Sequence, residues 1–216
     1  MTVSSSNKAN LFVVSAPSGA GKTSLLKQLM SDLSNVQTSI SHTTRKRRDA
    51  EVDGVDYHFV SVEKFKELVE EEAFYEHAEV FGNYYGTSKA SISEQLTKGI
   101  DVILEIDWQG ARQIRKQISS SLSIFILPPS KQELEKRLTG RGQDDSEIIQ
   151  GRMNSAIDEM SHYNEYDYLV INDNFALAVD EIKTIIVGER QKSPAEQQKL
   201  EKQSEKHAQL LCNLLE

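Results

Sequence analysis

Ser15-Ala16-Pro17-Ser18-Gly19-Ala20-Gly21-Lys22-Thr23 is the stretch on which the fold turns. An apolar run, Leu11-Phe12-Val13-Val14, leads into it and stops abruptly among small residues. Gly19 and Gly21 supply unhindered backbone that can turn several N–H groups inward, and a helix expected over Thr23–Leu33 adds its dipole at the same point. A strand running through such a loop into a helix makes an anion site. The phosphate-loop pattern is Gly, four residues, then Gly-Lys-Ser/Thr, and the chain matches it from Ala16 to Thr23 except at Ala16, where the first glycine belongs. Lys22 is placed to reach the β- and γ-phosphates of a nucleoside triphosphate, and Thr23 to coordinate Mg²⁺.

Outward from the loop, strand and helix signals alternate. The apolar runs Leu11–Val14, Ile100–Ile106, Leu122–Leu127 and Tyr168–Ile171 read as buried strands, with helices at Trp108–Ile118, Ser130–Leu138 and Phe175–Val187. Ser130 followed by Glu133 is a capping box directly after Pro128-Pro129. Continuous apolar strands between amphipathic helices predict an α/β fold: a P-loop NTPase core with a parallel sheet flanked by helices. Between Val36 and Thr87 the pattern changes to short β segments with one helix, Glu63–Glu71, and turns at Gly54, Gly82 and Gly86, which predicts an inserted β-rich subdomain. Thr139-Gly-Arg-Gly-Gln-Asp-Asp, followed by a helix, has the composition of a small helical lid. The expected organisation is one domain over 1–216: core at 9–35, 90–128 and 165–190, insert at 36–89, lid at 129–164 and a helical tail at 191–216.

The net charge of −8 argues against wholesale nucleic-acid binding, which rests on neutralising phosphates. No apolar run approaches the ~20 residues that cross a bilayer, and the N-terminus lacks a signal-peptide core, so no membrane partner and a cytoplasmic location are expected. Cys212 is the single cysteine and has no internal disulfide partner. In the tail, Leu200, His207, Leu211 and Leu214 share a helical face that permits a homo-oligomer without demanding one.

Val102-Ile-Leu-Glu105-Ile-Asp107 is an apolar strand ending in carboxylates, the arrangement that holds Mg²⁺ beside bound phosphates. A phosphate loop does not say where the γ-phosphate goes. Within an acidic chain, Ser41-His-Thr-Thr-Arg45-Lys-Arg-Arg48 concentrates four cations, which suggests a second anion contact. Gly54-Val-Asp-Tyr57, Phe74-Tyr-Glu76, Gly82-Asn-Tyr-Tyr85-Gly86-Thr87 and Glu105-Ile-Asp-Trp-Gln-Gly110 follow. Together with the phosphate loop these motifs resemble the guanylate kinase family, over about residues 9 to 190.

The resemblance implies transfer of phosphate from ATP to GMP. It implies an ATP site at Ala16, Pro17, Ser18, Gly19, Ala20, Gly21, Lys22 and Thr23, with Asn172 and Asp173 toward the adenine. It implies that Arg45, Arg48, Tyr57 and Tyr85 clamp the GMP phosphate, that Glu76 reads guanine, that Ser41 and Thr87 face O6 and N7, and that Asp107 makes a further contact on the base. The implied catalytic cations are Lys22, Arg45 and the flap arginines Arg137, Arg141 and Arg152, which close over ATP. Glu105 stands where other members carry Asp, so its Mg²⁺ contact is expected to run through water. Two other readings remain open on the residues: a guanylate-kinase-like interaction module without catalysis, and a kinase for another monophosphate.

Overall fold

The computed structural model describes residues 9–80, 82–140 and 146–191. In chain order the elements are β1 (Leu11–Ser15), α1 (Lys22–Asp32), β2 (Val36–Thr38), β3 (His42–Thr43), β4 (His58–Phe59), α2 (Val62–Glu70), β5 (Phe74–Val80) and β6 (Asn83–Ser88). Then come α3 (Lys89–Thr97), β7 (Asp101–Glu105), α4 (Trp108–Gln117), β8 (Leu122–Leu127), α5 (Lys131–Thr139), α6 (Ser146–Ser161), β9 (Tyr168–Ile171) and α7 (Phe175–Gln191). A five-stranded sheet has the order β2-β7-β1-β8-β9, and a four-stranded sheet the order β4-β3-β6-β5. The β2–β7 and β8–β9 pairs are parallel, and helices flank the sheet. No described helix is long and apolar enough to cross a membrane.

The two sheets differ because their sequences do. All five residues of β1 and the first four of β7 are buried, as strands covered on both faces require. In β5, Phe74 and Glu76 are buried while His77 and Glu79 are exposed, the alternation of a sheet packed on one face.

Contacts divide the chain into two compact units. Of the described residues, one holds those up to Val13 and those within Asn35–Ser121; the other holds Val14–Ser34 and those from Leu122 to Gln191. In the first, aromatic packing replaces an aliphatic core beneath the four-stranded sheet. Phe65, fully buried on α2, stacks on Phe74 at 4.9 Å and on Tyr84 at 5.5 Å between ring centroids. A methyl group on Gly86 would lie 3.0 Å from the Phe65 ring, so glycine there lets the ring lie close against β6. In the second unit, Phe125 and Leu127 of β8 pack with Leu134 and Leu138 of α5 and Met153, Ala156 and Met160 of α6.

The four apolar strands and helices α1, α4 and α5 lie within a residue or two of their expected places, while α7 runs four residues past the expected Val187 to Gln191. β9, expected to be buried, lies at the sheet edge and buries only Val170. Ser130 caps α5 by accepting from the Glu133 N–H at 3.1 Å, but the Glu133 carboxylate turns to Arg137 Nε, also at 3.1 Å. Val36–Thr38, placed with the insert by the sequence, is instead a strand of the parallel sheet, in register with Asp101–Ile103. Three residues carry too little pattern to show a core strand. For a similar reason α3 was not anticipated: Ile92 is its only fully buried residue.

Candidate active site

The phosphate loop leaves β1 after Ser15 and turns tightly, the Ala20 N–H donating to the Pro17 carbonyl at 3.1 Å. Gly19 and Gly21 have φ of 89° and 93°, a region L side chains avoid. Gly21 is the N-cap of α1 and brings no capping side chain, so the helix presents its positive end to the loop. Neighbours hold this shape from outside. A Cβ on Gly19 would lie 2.9 Å from Leu134 and 3.0 Å from Leu138, and one on Gly21 would lie 2.5 Å from the Asn172 amide nitrogen. The Ser18 N–H donates to Glu159 at 3.1 Å, and Asn172 Nδ2 donates to the Ala20 carbonyl at 2.7 Å.

Arg137 joins this group through Asn172, its Nη2 donating to the Asn172 carbonyl at 3.0 Å. Arg152 sits half-buried on α6, and Asp173 is exposed. Arg141 and the tail beyond Gln191 lie outside the described residues.

In the first unit, Arg45 leaves the end of β3, where the Thr43 hydroxyl accepts its N–H at 3.1 Å. Its guanidinium grips Glu51 with two bonds, of 2.7 and 3.1 Å, while the Arg48 N–H donates to the same carboxylate at 2.8 Å. The Arg45 bond, then the Arg48 N–H, hold the Glu51 carboxyl below its usual range; hydrogen bonding to Glu51 first of all raises Arg45. The guanidinium stands 5.4 Å from the centre of the Tyr57 ring, and Tyr57 meets Tyr85 at 6.1 Å. Burial, then the negative charge of Glu105, raises the Tyr57 hydroxyl above its ordinary value. Arg45, Tyr57 and Tyr85 are thus together, with Glu105 in electrostatic reach; Arg48 has an exposed side chain, and Ser41 is half-buried just before β3.

Glu76 is the unusual carboxylate. It is only 5% exposed, lies opposite Thr87 across the β5–β6 ladder, and accepts a hydrogen bond from the Thr87 hydroxyl. Burial pushes its pKa up to about 7; the Thr87 bond works against that rise, and the charge of Asp107 adds to it. Asp107 caps α4 by accepting from the Gly110 N–H at 2.8 Å, and a Cβ on Gly110 would lie 3.0 Å from Glu76 Oε2. Gly110 therefore makes room for the carboxylate.

Sequence reasoning missed four polar supports. Glu51 carries a local signal, an acid three residues after the basic run. Glu159 lies 141 residues from Ser18, so no spacing could reveal their contact. Gln113 and Gln117 bind the outer edge of β5: Gln113 accepts from the His77 N–H at 3.2 Å and donates to its carbonyl at 3.1 Å, and Gln117 donates to the Tyr75 carbonyl. They give an edge strand the partners it would otherwise lack.

A parallel sheet whose strand enters a glycine loop and then a helix defines a P-loop α/β protein. The family model for guanylate kinase matches residues 8–189. A guanylate kinase of Shewanella denitrificans is 59% identical over 186 residues, 86% of this chain and 90% of that one. One from Photobacterium profundum is 54% identical over 211 residues, 97% and 98% of the two chains. The crystal structure of guanylate kinase from Anaplasma phagocytophilum is similar with a TM-score of 0.71 at 34% identity, covering 85% of this chain and 87% of that one. The chain belongs to the guanylate kinase family.

Proposed function

We propose that the chain transfers the γ-phosphate of ATP to GMP, giving ADP and GDP, and that the two groups of residues described above bind the two substrates. The observation that carries the choice of acceptor is Glu76, a buried carboxylate with a hydroxyl beside it. Guanine presents two adjacent donors, N1–H and the exocyclic amine, and one carboxylate accepts from both. Adenine presents an acceptor at N1, which would leave Glu76 unpaired in a desolvated site, a defect that rejects a substrate strongly. Ser41, Thr87 and Asp107 complete the base site. Arg45, Arg48, Tyr57 and Tyr85 take the GMP phosphate; Arg45 already grips a carboxylate in the two-bonded manner in which guanidinium grips phosphate.

Residues Ala16 to Thr23 take the triphosphate of ATP, with Lys22 on its terminal phosphates. As a GMP phosphate oxygen bonds to the γ-phosphorus, the bond from that phosphorus to the β,γ-bridging oxygen breaks and its electron pair leaves on ADP. The attacking oxygen is already ionised, so no general base is required. The barrier is crowding of negative charge, which Lys22, Arg45, Arg137, Arg141 and Arg152 offset. Mg²⁺ enters with ATP. The Thr23 hydroxyl and the Glu105 carboxylate are the hard oxygen donors such an ion takes, and the ion would neutralise phosphate charge. Among the described residues, no cluster of three His, Cys, Asp or Glu forms a separate cage for it.

The test is GDP formation from Mg·ATP and GMP, followed by nucleotide chromatography. GDP and ADP should form in equal amounts, and Lys22→Ala should abolish both. Folded protein that binds GMP and yields no GDP would reject the reading.

A further inference from the structure

Asn172 follows β9 and is held through its N–H, its carbonyl and its side-chain Nδ2. The residue is 5% exposed, and its N–H donates to the Leu127 carbonyl at 2.8 Å. Its own carbonyl accepts from Arg137 Nη2 at 3.0 Å, and its Nδ2 donates to the Ala20 carbonyl at 2.7 Å. One residue therefore touches the end of β8, the phosphate loop and Arg137.

An amide so enclosed has little surface left for a nucleotide base. Its bond to Ala20 does something else. The Ala20 carbonyl and the Gly21 N–H belong to one planar trans peptide and point in opposite directions. Holding the carbonyl toward Asn172 aims the Gly21 N–H the other way. Glycine at 21 serves the same contact, because a Cβ there would stand 2.5 Å from Nδ2 and push the amide off its acceptor.

We propose that Asn172 is a positioning residue for the phosphate loop: by holding the Ala20 carbonyl it directs the Gly21 N–H to the bound phosphates and sets Arg137 on the same frame. This rests on the reading of the loop as the triphosphate site. Loss of the Asn172 donor leaves a backbone carbonyl unpaired and the peptide free to turn, whatever base the nucleotide carries.

Asn172→Leu keeps the branched side-chain skeleton, with two methyl groups in place of the amide, and removes the donor; Asn172→Ala and Asn172→Ser are its companions. Two quantities decide: kcat/KM for ATP and for ITP as phosphate donors, and affinity for Mg·tripolyphosphate, which has phosphates and no base. The leucine and alanine variants should lose ~10–100-fold in kcat/KM, equally for ATP and ITP, with a matching loss of tripolyphosphate affinity. Affinity for GMP should not change, and serine, which keeps a donor, should recover part of the loss. A loss confined to ATP, with tripolyphosphate binding intact, would make Asn172 a base contact and overturn the proposal; so would no loss at all. If the leucine variant fails to bind GMP and so to fold, the alanine and serine pair carries the same comparison. The binding arm needs no acceptor and no turnover, so it decides the role of Asn172 even from protein that forms no GDP.

Discussion

Thr87 donates its hydroxyl to Glu76 across the β5–β6 ladder, where the two residues are in register. The bond satisfies one carboxylate oxygen and leaves the other beside Gly110, in a setting that still pushes the pKa up to about 7. Such a group is costly to keep ionised and suited to a ligand that brings two donors.

Glu76→Gln should therefore separate stability from activity. The amide accepts from Thr87 without a buried charge, so the variant should be more stable than the parent at pH 8 by roughly 1–3 kcal/mol, read from denaturant unfolding. Its kcat/KM for GMP should fall by about 100-fold or more, because one face of the amide now opposes guanine's donors. A variant with unchanged GMP use would remove Glu76 from base recognition.

The same carboxyl gives opposite pH trends for stability and binding. Between its ordinary 4.5 and about 7, the folded protein holds a proton that the unfolded chain has released. Its contribution to stability is thus full below about 4.5 and is lost as the pH rises through about 7. Glu181, raised to about 7 by burial, adds a trend of the same sign, so the comparison with Glu76→Gln isolates Glu76. GMP affinity needs the ionised form and should climb over the same interval. Calorimetric titration with GMP from pH 5.5 to 8.5, compared between the parent and Glu76→Gln so that the ionisation of the ligand phosphate cancels, checks this; the same profile in both proteins would contradict it.

At the proposed GMP phosphate site, Arg45→Lys keeps the charge and loses the fork that now meets both Glu51 oxygens. GMP affinity should weaken by about 10-fold or more, with affinity for Mg·tripolyphosphate unchanged. Equal GMP binding in the two proteins would mean that charge alone suffices.

Two left-handed glycines allow strain and crowding to be told apart. Gly99 has φ 75° and open space around it, so Gly99→Ala should cost about 1 kcal/mol and leave activity intact. Gly21→Ala adds the collision with Asn172 and should cost more, about 2–3 kcal/mol, and abolish ATP use. Thermal melts and donor kinetics on both variants make the comparison.

What the sequence discloses and what it hides follow from distance along the chain. The glycine loop was legible because strand, glycines, Lys22 and Thr23 are consecutive, and the core strands because each holds an unbroken apolar run such as Val102–Leu104 or Ile124–Leu127. Glu76 could be singled out only through the motifs around it; no local rule says that a glutamate on a β segment will be buried. Asn172 and Glu159 act on the loop from 152 and 141 residues away, through contacts created by folding. β2 was hidden by its length, being recognisable only once β7 lies beside it.

The most direct measurement is kcat/KM with Mg·ATP for GMP, AMP, UMP and dTMP as acceptors, with products separated by chromatography. Turnover should be confined to GMP, with a preference over AMP of about 10⁴-fold or more if Glu76 rejects an unpaired base as argued. Comparable rates with AMP, or turnover with a pyrimidine monophosphate and none with GMP, would contradict the account.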